Sequence, residues 1–255
     1  MERISNKINS MLPISLEEIN QANAGLLNRI DSKFLIHIEE LIYILEALPE
    51  SYRVLELEHK RVHRYETLYF DTNDFQLYMM HHNKKGNRFK VRIRRYVENN
   101  LVFLEVKNKT NKAVTKKQRI KLPYFPENLQ QLDNLSIQSI LPVDDESLKP
   151  QLWTLFNRIT LVNVELQERM TIDLNLMLRN NESEVMFEDL VVMELKREKS
   201  QTESPIMDLM KEMRIRQADF SKYSMGTALI NDCVKKNAFK SKLHTLRSEF
   251  HWQTK

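Results

Sequence analysis

The chain has 255 residues, of which 29% are charged and 42% hydrophobic, an ordinary balance for a globular protein long enough to bury one large β-rich core or two smaller ones. With 39 Lys and Arg against 35 Asp and Glu the net charge is only +4, which excludes an overall polycation for nonspecific nucleic-acid binding and leaves any anion site to local clustering. The single cysteine, Cys233, excludes an internal disulfide and a cysteine-based zinc site, and the three glycines, Gly25, Gly86 and Gly226, build no phosphate-cradling Gly-rich loop. Phosphate groups, if bound, must therefore be held by side-chain cations. The first fourteen residues lack the apolar core of a signal peptide and no run of about 18 apolar residues occurs, so the expected setting is a reducing cytoplasm.

Residues 1–13 read as a loose leader, and Ser15 is placed to cap a short helix from Leu16 to Ala24, ended by Gly25. From Arg29 the pattern alternates, with Arg29, Asp31 and Lys33 interleaved by Ile30 and Phe34. Helical spacing of Ile38, Leu41, Ile42, Leu45 and Leu48 then runs to Pro49. Tyr52–Leu57 and Arg64–Phe70 are strand candidates, the second closed by the turn chemistry of Asp71-Thr72-Asn73-Asp74. His81 and His82 fall in a polar loop and, being adjacent, do not face one metal from a regular element.

Arg88–Tyr96 puts Arg88, Lys90, Arg92 and Arg94 on one face and Phe89, Val91, Ile93 and Arg95 on the other. Four residues later, Leu101–Lys109 repeats the alternation with Glu105, Lys107 and Lys109 on its charged side, so the two read as a hairpin. A further strand is expected at Thr115–Ile120, where Lys117 and Arg119 share a face. Tyr124–Pro150 reads as a helical insertion within the domain, and Arg158, among apolar neighbours, requires an anionic partner. Glu168–Leu176 alternates Arg169, Thr171, Asp173 and Asn175 with Met170, Ile172, Leu174 and Leu176, and Val191–Glu198 places Glu194 and Lys196 on one face. Ser204-Pro205 opens a helix whose methionines are core packing, a last helix ends near Lys236, and His244–Lys255 is a basic, weakly specified tail. Strands of this kind suit either a sandwich with charges outside or a barrel with charges inside and helices covering its apolar exterior; periodicity does not separate the two.

Nine segments in this order resemble one family: Arg29-x-Asp31-x-Lys33-Phe34, Tyr69-Phe-Asp-Thr72, Arg88 to Tyr96, Leu104-Glu-Val-Lys107-x-Lys109, Lys117-x-Arg119, Arg158, Arg169-x-Thr-x-Asp173, Met193-Glu194-Leu-Lys196 and Phe220-Ser-Lys222-Tyr223. They are similar to the catalytic domain of the vacuolar transporter chaperone (VTC) polyphosphate polymerases, within the triphosphate tunnel or CYTH-like superfamily, from about residue 25 to about residue 230, which implies a domain of residues 25–236. The resemblance implies an α+β fold, an antiparallel β-barrel tunnel with inward-facing charges and covering helices, preceded by the leader and short helix of residues 1–24 and followed by the tail of residues 237–255. It implies that Lys33, Arg92, Arg94, Lys107, Arg158, Lys196 and Lys222 act in catalysis, that Arg29, Lys90, Lys109, Lys117, Arg119 and Arg169 bind phosphate, and that Glu194 holds a divalent metal, Mn2+ or Mg2+.

The activity so implied is transfer of the γ-phosphate of ATP onto a polyphosphate chain, with hydrolysis of triphosphate or nonenzymatic polyphosphate binding as alternatives. Hydrolytic members begin with Glu-x-Glu-x-Lys; the Arg29-x-Asp31-x-Lys33 found here offers fewer metal carboxylates and favours the polymerase branch. No nucleic acid is expected as a partner. Neither an inositol-phosphate-sensing domain ahead of the barrel nor a membrane segment behind it is read, so export of a chain calls for a membrane-protein partner.

Overall fold

The computed structural model describes residues 2–23, 29–112, 114–132, 138–143 and 145–254. Its elements are α1 (Glu2–Ser10), β1 (Pro13–Ile14), α2 (Leu16–Asn23), β2 (Arg29–His37), α3 (Ile38–Ala47), β3 (Tyr52–Leu55), β4 (His63–Asp71), α4 (Gln76–His82), β5 (Arg88–Tyr96), β6 (Leu101–Lys109) and β7 (Thr115–Leu122). These are followed by β8 (Lys149–Asn163), β9 (Glu168–Arg179), β10 (Glu184–Phe187), β11 (Leu190–Glu198), α5 (Pro205–Glu212), α6 (Lys222–Ile230), α7 (Lys240–Glu249) and β12 (Trp252–Thr254). The α+β class and the antiparallel pairing expected from the alternation are found. The chain forms two compact units, one of residues 1–63, 157–176 and 188–220, the other of residues 64–156, 177–187 and 221–255, so that β8 and β9 supply residues to each.

In the first unit β11 lies between β2 and β9, antiparallel to both, and aligns Glu194 with Lys33 and Thr171, and Lys196 with Asp31 and Arg169. One face of these strands carries Phe34, Ile36, Met170, Ile172, Leu174, Val191, Met193 and Leu195, all buried. They are buried because α3 contributes Leu41, Ile42, Ile44 and Leu45, and α5 contributes Ile206 and Met210, to the same core. The expected methionine packing is thus observed. Ser204 caps α5 by accepting the Met207 N–H, and Ser15 and Glu18 cap α2 reciprocally through side-chain to backbone hydrogen bonds of 3.2 and 2.8 Å. The leader differs from its reading: residues 2–10 are helical because Ile4 and Ile8, one turn apart, find the α3 core. Ala24 and Gly25, the expected end of α2, lie outside the described residues.

In the second unit β4, β5, β6 and β7 form an antiparallel meander, with β8 beside β4 and β10 between β9 and β12. The β5–β6 hairpin has the expected boundaries, and β7 runs two residues further than predicted. Its apolar face, with Leu68, Phe70, Val91, Ile93, Val102, Leu104 and Val106, is covered by Leu77 of α4 and by Leu129, Leu132, Ile140 and Leu141 of the insertion. In that insertion the described residues include short 3-10 turns at Leu129–Gln131 and Asp145–Ser147, and Leu135 and Ile137 lie outside the described residues.

The paired histidines are the end of a helix, where the His81 ring donates to the Phe89 carbonyl at 2.8 Å and the buried His82 accepts the Ala238 N–H at 3.1 Å. The last helix expected to reach Lys236 stops at Ile230, and the tail is specified by α7, with Leu243 and Leu246 buried, and by β12 paired with β10. Among the described residues no helix is long and apolar enough to cross a membrane.

Candidate functional site

Each unit carries a charged sheet face. In the second unit the period-two alternation of three neighbouring strands places Arg88, Lys90, Arg92 and Arg94 of β5, Lys107 and Lys109 of β6, and Lys117, Arg119 and Lys121 of β7 on one side, nine cations against the single carboxylate of Glu105. Register turns this into cross-strand rows. Lys90, Lys107 and Lys117 oppose one another directly, as do Arg92, Glu105 and Arg119, while Tyr69 of β4 continues the second row. Like charges directly opposite destabilise a sheet unless an anion lies between them.

Glu105, 1% exposed, is the hub of the second row. It accepts from Arg92 Nε at 2.7 Å and meets Lys117 Nζ at 2.5 Å and Arg119 Nε at 3.5 Å. Burial alone would raise its pKa, but Arg92, Arg94 and Lys117 hold it far below the usual carboxylate range. Arg92 also donates from Nη1 to the Tyr69 hydroxyl at 3.0 Å. Burial opposes its charge, and Tyr69 and Glu105 more than compensate. Arg94, 8% exposed, donates to Thr67 Oγ1 at 3.1 Å and lies over the Tyr65 ring; burial and the neighbouring Arg92 hold its pKa below the ordinary value. Arg119 stacks on Phe103 at 3.5 Å and donates to the Tyr96 hydroxyl at 2.9 Å. Arg95 points to the opposite face, paired with Glu66.

The first turn of α6 adds to this face. Ser221, its cap, accepts from Lys90 Nζ at 2.7 Å, and Lys222 places its ammonium 4.5 Å from the centre of the Phe156 ring. Gly226 lets α6 sit close against the sheet: a Cβ there would lie 2.8 Å from Leu152 Cδ2.

The face in the first unit is of mixed sign and paired. Lys196 meets Asp31 at 3.2 Å and is in contact with Glu194, whose other oxygen lies 3.8 Å from Lys33. Burial lowers the Lys196 pKa to about 8, with Asp31 resisting and Lys33 and Arg169 assisting. Arg158 has the anionic partner its setting requires: Nε and Nη2 engage both oxygens of the buried Asp173 at 2.5 and 2.8 Å. Of the remaining residues singled out by sequence, Arg169 stands opposite Lys196, Lys109 opposite Arg88, and Arg29 opposite Glu198.

Sequence reasoning assigned no role to Glu105, Tyr69, Lys121 or Tyr223. A signal for Glu105 was present, since residues 83–97 and 106–126 contain fourteen Lys and Arg and no Asp or Glu, and Glu105 is the one acid that alternation puts on their shared face.

The family profile of the VTC domain matches residues 28–231. This chain belongs to the VTC domain family. The match spans the motifs of β2, β4–β9, β11 and α6 that carried the resemblance. A search of curated proteins finds no match. Among solved structures, the VTC-domain chain is similar to an adenylate cyclase candidate from Bacillus halodurans, at 14% identity and a TM-score of 0.47 over 76% of this chain and 94% of that one. It is also similar to an adenylyl cyclase candidate from Hippeastrum with a dominant triphosphatase activity, at 15% identity and a TM-score of 0.46 over 77% and 95% of the two chains.

Proposed function

We propose that this VTC-domain protein is an ATP-polyphosphate phosphotransferase that moves the γ-phosphate of ATP onto a polyphosphate chain. The observation that carries the reading is the ladder of nine cations and one carboxylate on β5, β6 and β7. A bound polyanion would relieve its row of directly opposed lysines. Arginine forks at Arg92, Arg94 and Arg119 match phosphate oxygens bidentately, and Lys90, Lys107, Lys109, Lys117 and Lys222 act as point charges. Transfer of a terminal phosphoryl group spreads negative charge over its peripheral oxygens, so fixed cations stabilise the transition state without a covalent enzyme intermediate. Arg92 is held for this by Glu105 and Tyr69 before any ligand arrives.

In the first unit Lys33, Arg158, Arg169 and Lys196, with Arg29, are assigned to the same chemistry. Glu194 is assigned to a divalent metal, Mn2+ or Mg2+. The donor set fits such an ion in one way only. Among the described residues no group of three or more His, Cys, Asp or Glu could form a protein cage, whereas Asp31 and Glu194 converge on Lys196 and offer the one or two carboxylates that such ions take alongside phosphate oxygens. Bound there, the metal supplies charge neutralisation to phosphate oxygens. Asp31 and Glu194 hold it, and Lys196 and Lys33 balance the two carboxylates in its absence. We place the protein in the cytoplasm, where its exposed Cys233 stays reduced, with export of any chain left to a membrane-protein partner.

The test is incubation of purified protein with ATP and Mn2+ or Mg2+, resolving polymer on a gel and free phosphate by assay. Long polymer, lost in Arg94→Ala and Glu194→Ala, is the expected result. Free phosphate without polymer converts the reading to a triphosphatase, and binding of polyphosphate with no turnover converts it to a binding module.

A further inference from the structure

Asp71 closes β4 with none of its surface exposed, and every hydrogen bond it accepts has an architectural use. Its carboxylate takes the N–H groups of Thr72, Leu77 and Tyr78 at 2.8, 2.8 and 2.9 Å, which fixes the start of α4. It also accepts the hydroxyl proton of Tyr223, the second residue of α6. The turn so fixed includes Phe75 at φ 57°, a conformation that a bulky side chain adopts only where its surroundings over-determine it. Tyr223, fully buried, stacks on Tyr69 with ring centroids 5.1 Å apart, and the Tyr69 hydroxyl accepts from Arg92. An unbroken line therefore runs from a buried carboxylate, through two phenols, to a guanidinium on the cationic ladder.

We propose that Asp71, Tyr223 and Tyr69 form a positioning relay that fixes the Arg92 guanidinium and, through the first turn of α6, the ammonium of Lys222. The proposal rests on the reading of this face as phosphate-binding. Three geometrical facts support it. Arg92 has two side-chain acceptors, Glu105 and Tyr69, and only Tyr69 ties it to another element besides the ladder. The Asp71 to Tyr223 bond sets the rotation of α6 about its axis, and Lys222 is the residue before Tyr223. The stack on Tyr223 leaves the Tyr69 oxygen little freedom, since the residue is 4% exposed and the Arg92 guanidinium lies 5.8 Å from the ring centre. Burial works against ionisation of Tyr69, but Arg92, Arg94 and Lys222 outweigh it and hold the phenol below its ordinary pKa, as a hydroxyl gathered among three cations requires.

The test uses Tyr69→Phe, which keeps the ring stack and removes only the acceptor, with Tyr223→Phe as a second variant and Arg92→Ala as the reference. Inorganic triphosphate binding is measured by calorimetry without metal, and the Arg92 Nη–H protons are followed by hydrogen exchange in NMR. The expected result is about tenfold weaker binding in Tyr69→Phe, the scale of one hydrogen bond to a charged group, with unchanged thermal stability and faster Arg92 Nη–H exchange. The loss should vanish in the Arg92→Ala background, because the relay acts through that residue. Wild-type affinity and exchange in both phenylalanine variants, or losses that add fully to that of Arg92→Ala, overturn the relay. Failure of the wild-type protein to bind triphosphate, with Arg92 exchange still accelerated by Tyr69→Phe, overturns the functional reading and leaves the positioning role standing.

Discussion

The two charged faces are built on the same period-two alternation and differ in their accounting of sign. In the first unit three acids of the face meet cations: Asp173 with Arg158, Glu194 with Lys33 and Lys196, and Asp31 with Lys196. In the second, Glu105 serves Arg92, Lys117 and Arg119, and the remaining ladder cations outnumber the acids available on their strands. The first face is nearly balanced in sign, and the second carries a surplus of positive charge. Alternation alone gives both the same appearance, so sign and pairing are what distinguish them.

The strongest way to break this comparison is Glu105→Gln. Removing the carboxylate strips the half-buried Arg92 and the exposed Lys117 and Arg119 of their shared buried acid, and the expected loss is about 3 kcal/mol in urea unfolding, the low end for a buried pair because water screens two of the cations. Inorganic triphosphate should restore much of it, because an external anion can take the place of the missing acid. Arg158→Met tests the other side. It strands the buried Asp173 at a cost of about 3 kcal/mol, and triphosphate should not restore that loss, since an anion cannot satisfy an acid. Equal rescue of both variants would erase the distinction between the faces.

A smaller effect concerns His81, whose ring bonds the Phe89 carbonyl beside the ladder and packs edge-on to Tyr223. Burial, then Lys90, lowers its pKa to about 3, while its bond to the Phe89 carbonyl resists. The folded pKa lies below the free value of about 6.5, so between these values the unfolded chain binds more protons. The stability His81 contributes is complete above pH 6.5 and is lost as pH falls towards 3. His81→Asn should flatten the acid limb of a plot of urea midpoint against pH by up to about 1.4 kcal/mol per pH unit. An unchanged limb would remove the histidine from the account.

The smallest expected effect is the most diagnostic in sign. Lys107→Gln relieves the row formed with Lys90 and Lys117 and should raise stability by up to about 1 kcal/mol while weakening triphosphate binding. Destabilisation together with unchanged affinity would mark the row as structural.

Much of this was legible before any coordinates. The β5–β6 hairpin, the α3 core, the Ser204-Pro205 helix start and the need of Arg158 for an acid all follow from alternation, helical spacing and the cost of a buried charge. What was missed needed long-range information. Ile4 and Ile8 define a helix only because α3 offers them a core, and the tail is ordered by pairing with β10, sixty-five or more residues upstream in sequence. His81 and His82 looked like loop residues because their partners, Phe89 and Ala238, are not implied by local pattern. Tyr69 and Tyr223 were seen within motifs, but a stack between residues so distant in the chain has no sequence period. The ladder itself was half read: alternation gave its cations, and only register revealed which of them oppose one another.

The surplus charge on β5, β6 and β7 also bears on how quickly a ligand is found. A row of side chains from Arg88 to Arg94 extends about 20 Å at the rise of a β-strand, longer than the screening distance of about 10 Å in 0.1 M salt. An approaching polyanion is therefore drawn toward the strands before it touches any particular arginine, and capture becomes a matter of encounter frequency as well as of grip. Stopped-flow association rates should fall steeply between 0.05 and about 1 M salt, where the screening distance shrinks to about 3 Å, while dissociation changes far less. The nine cations on these strands would then set the pace of capture as well as its strength.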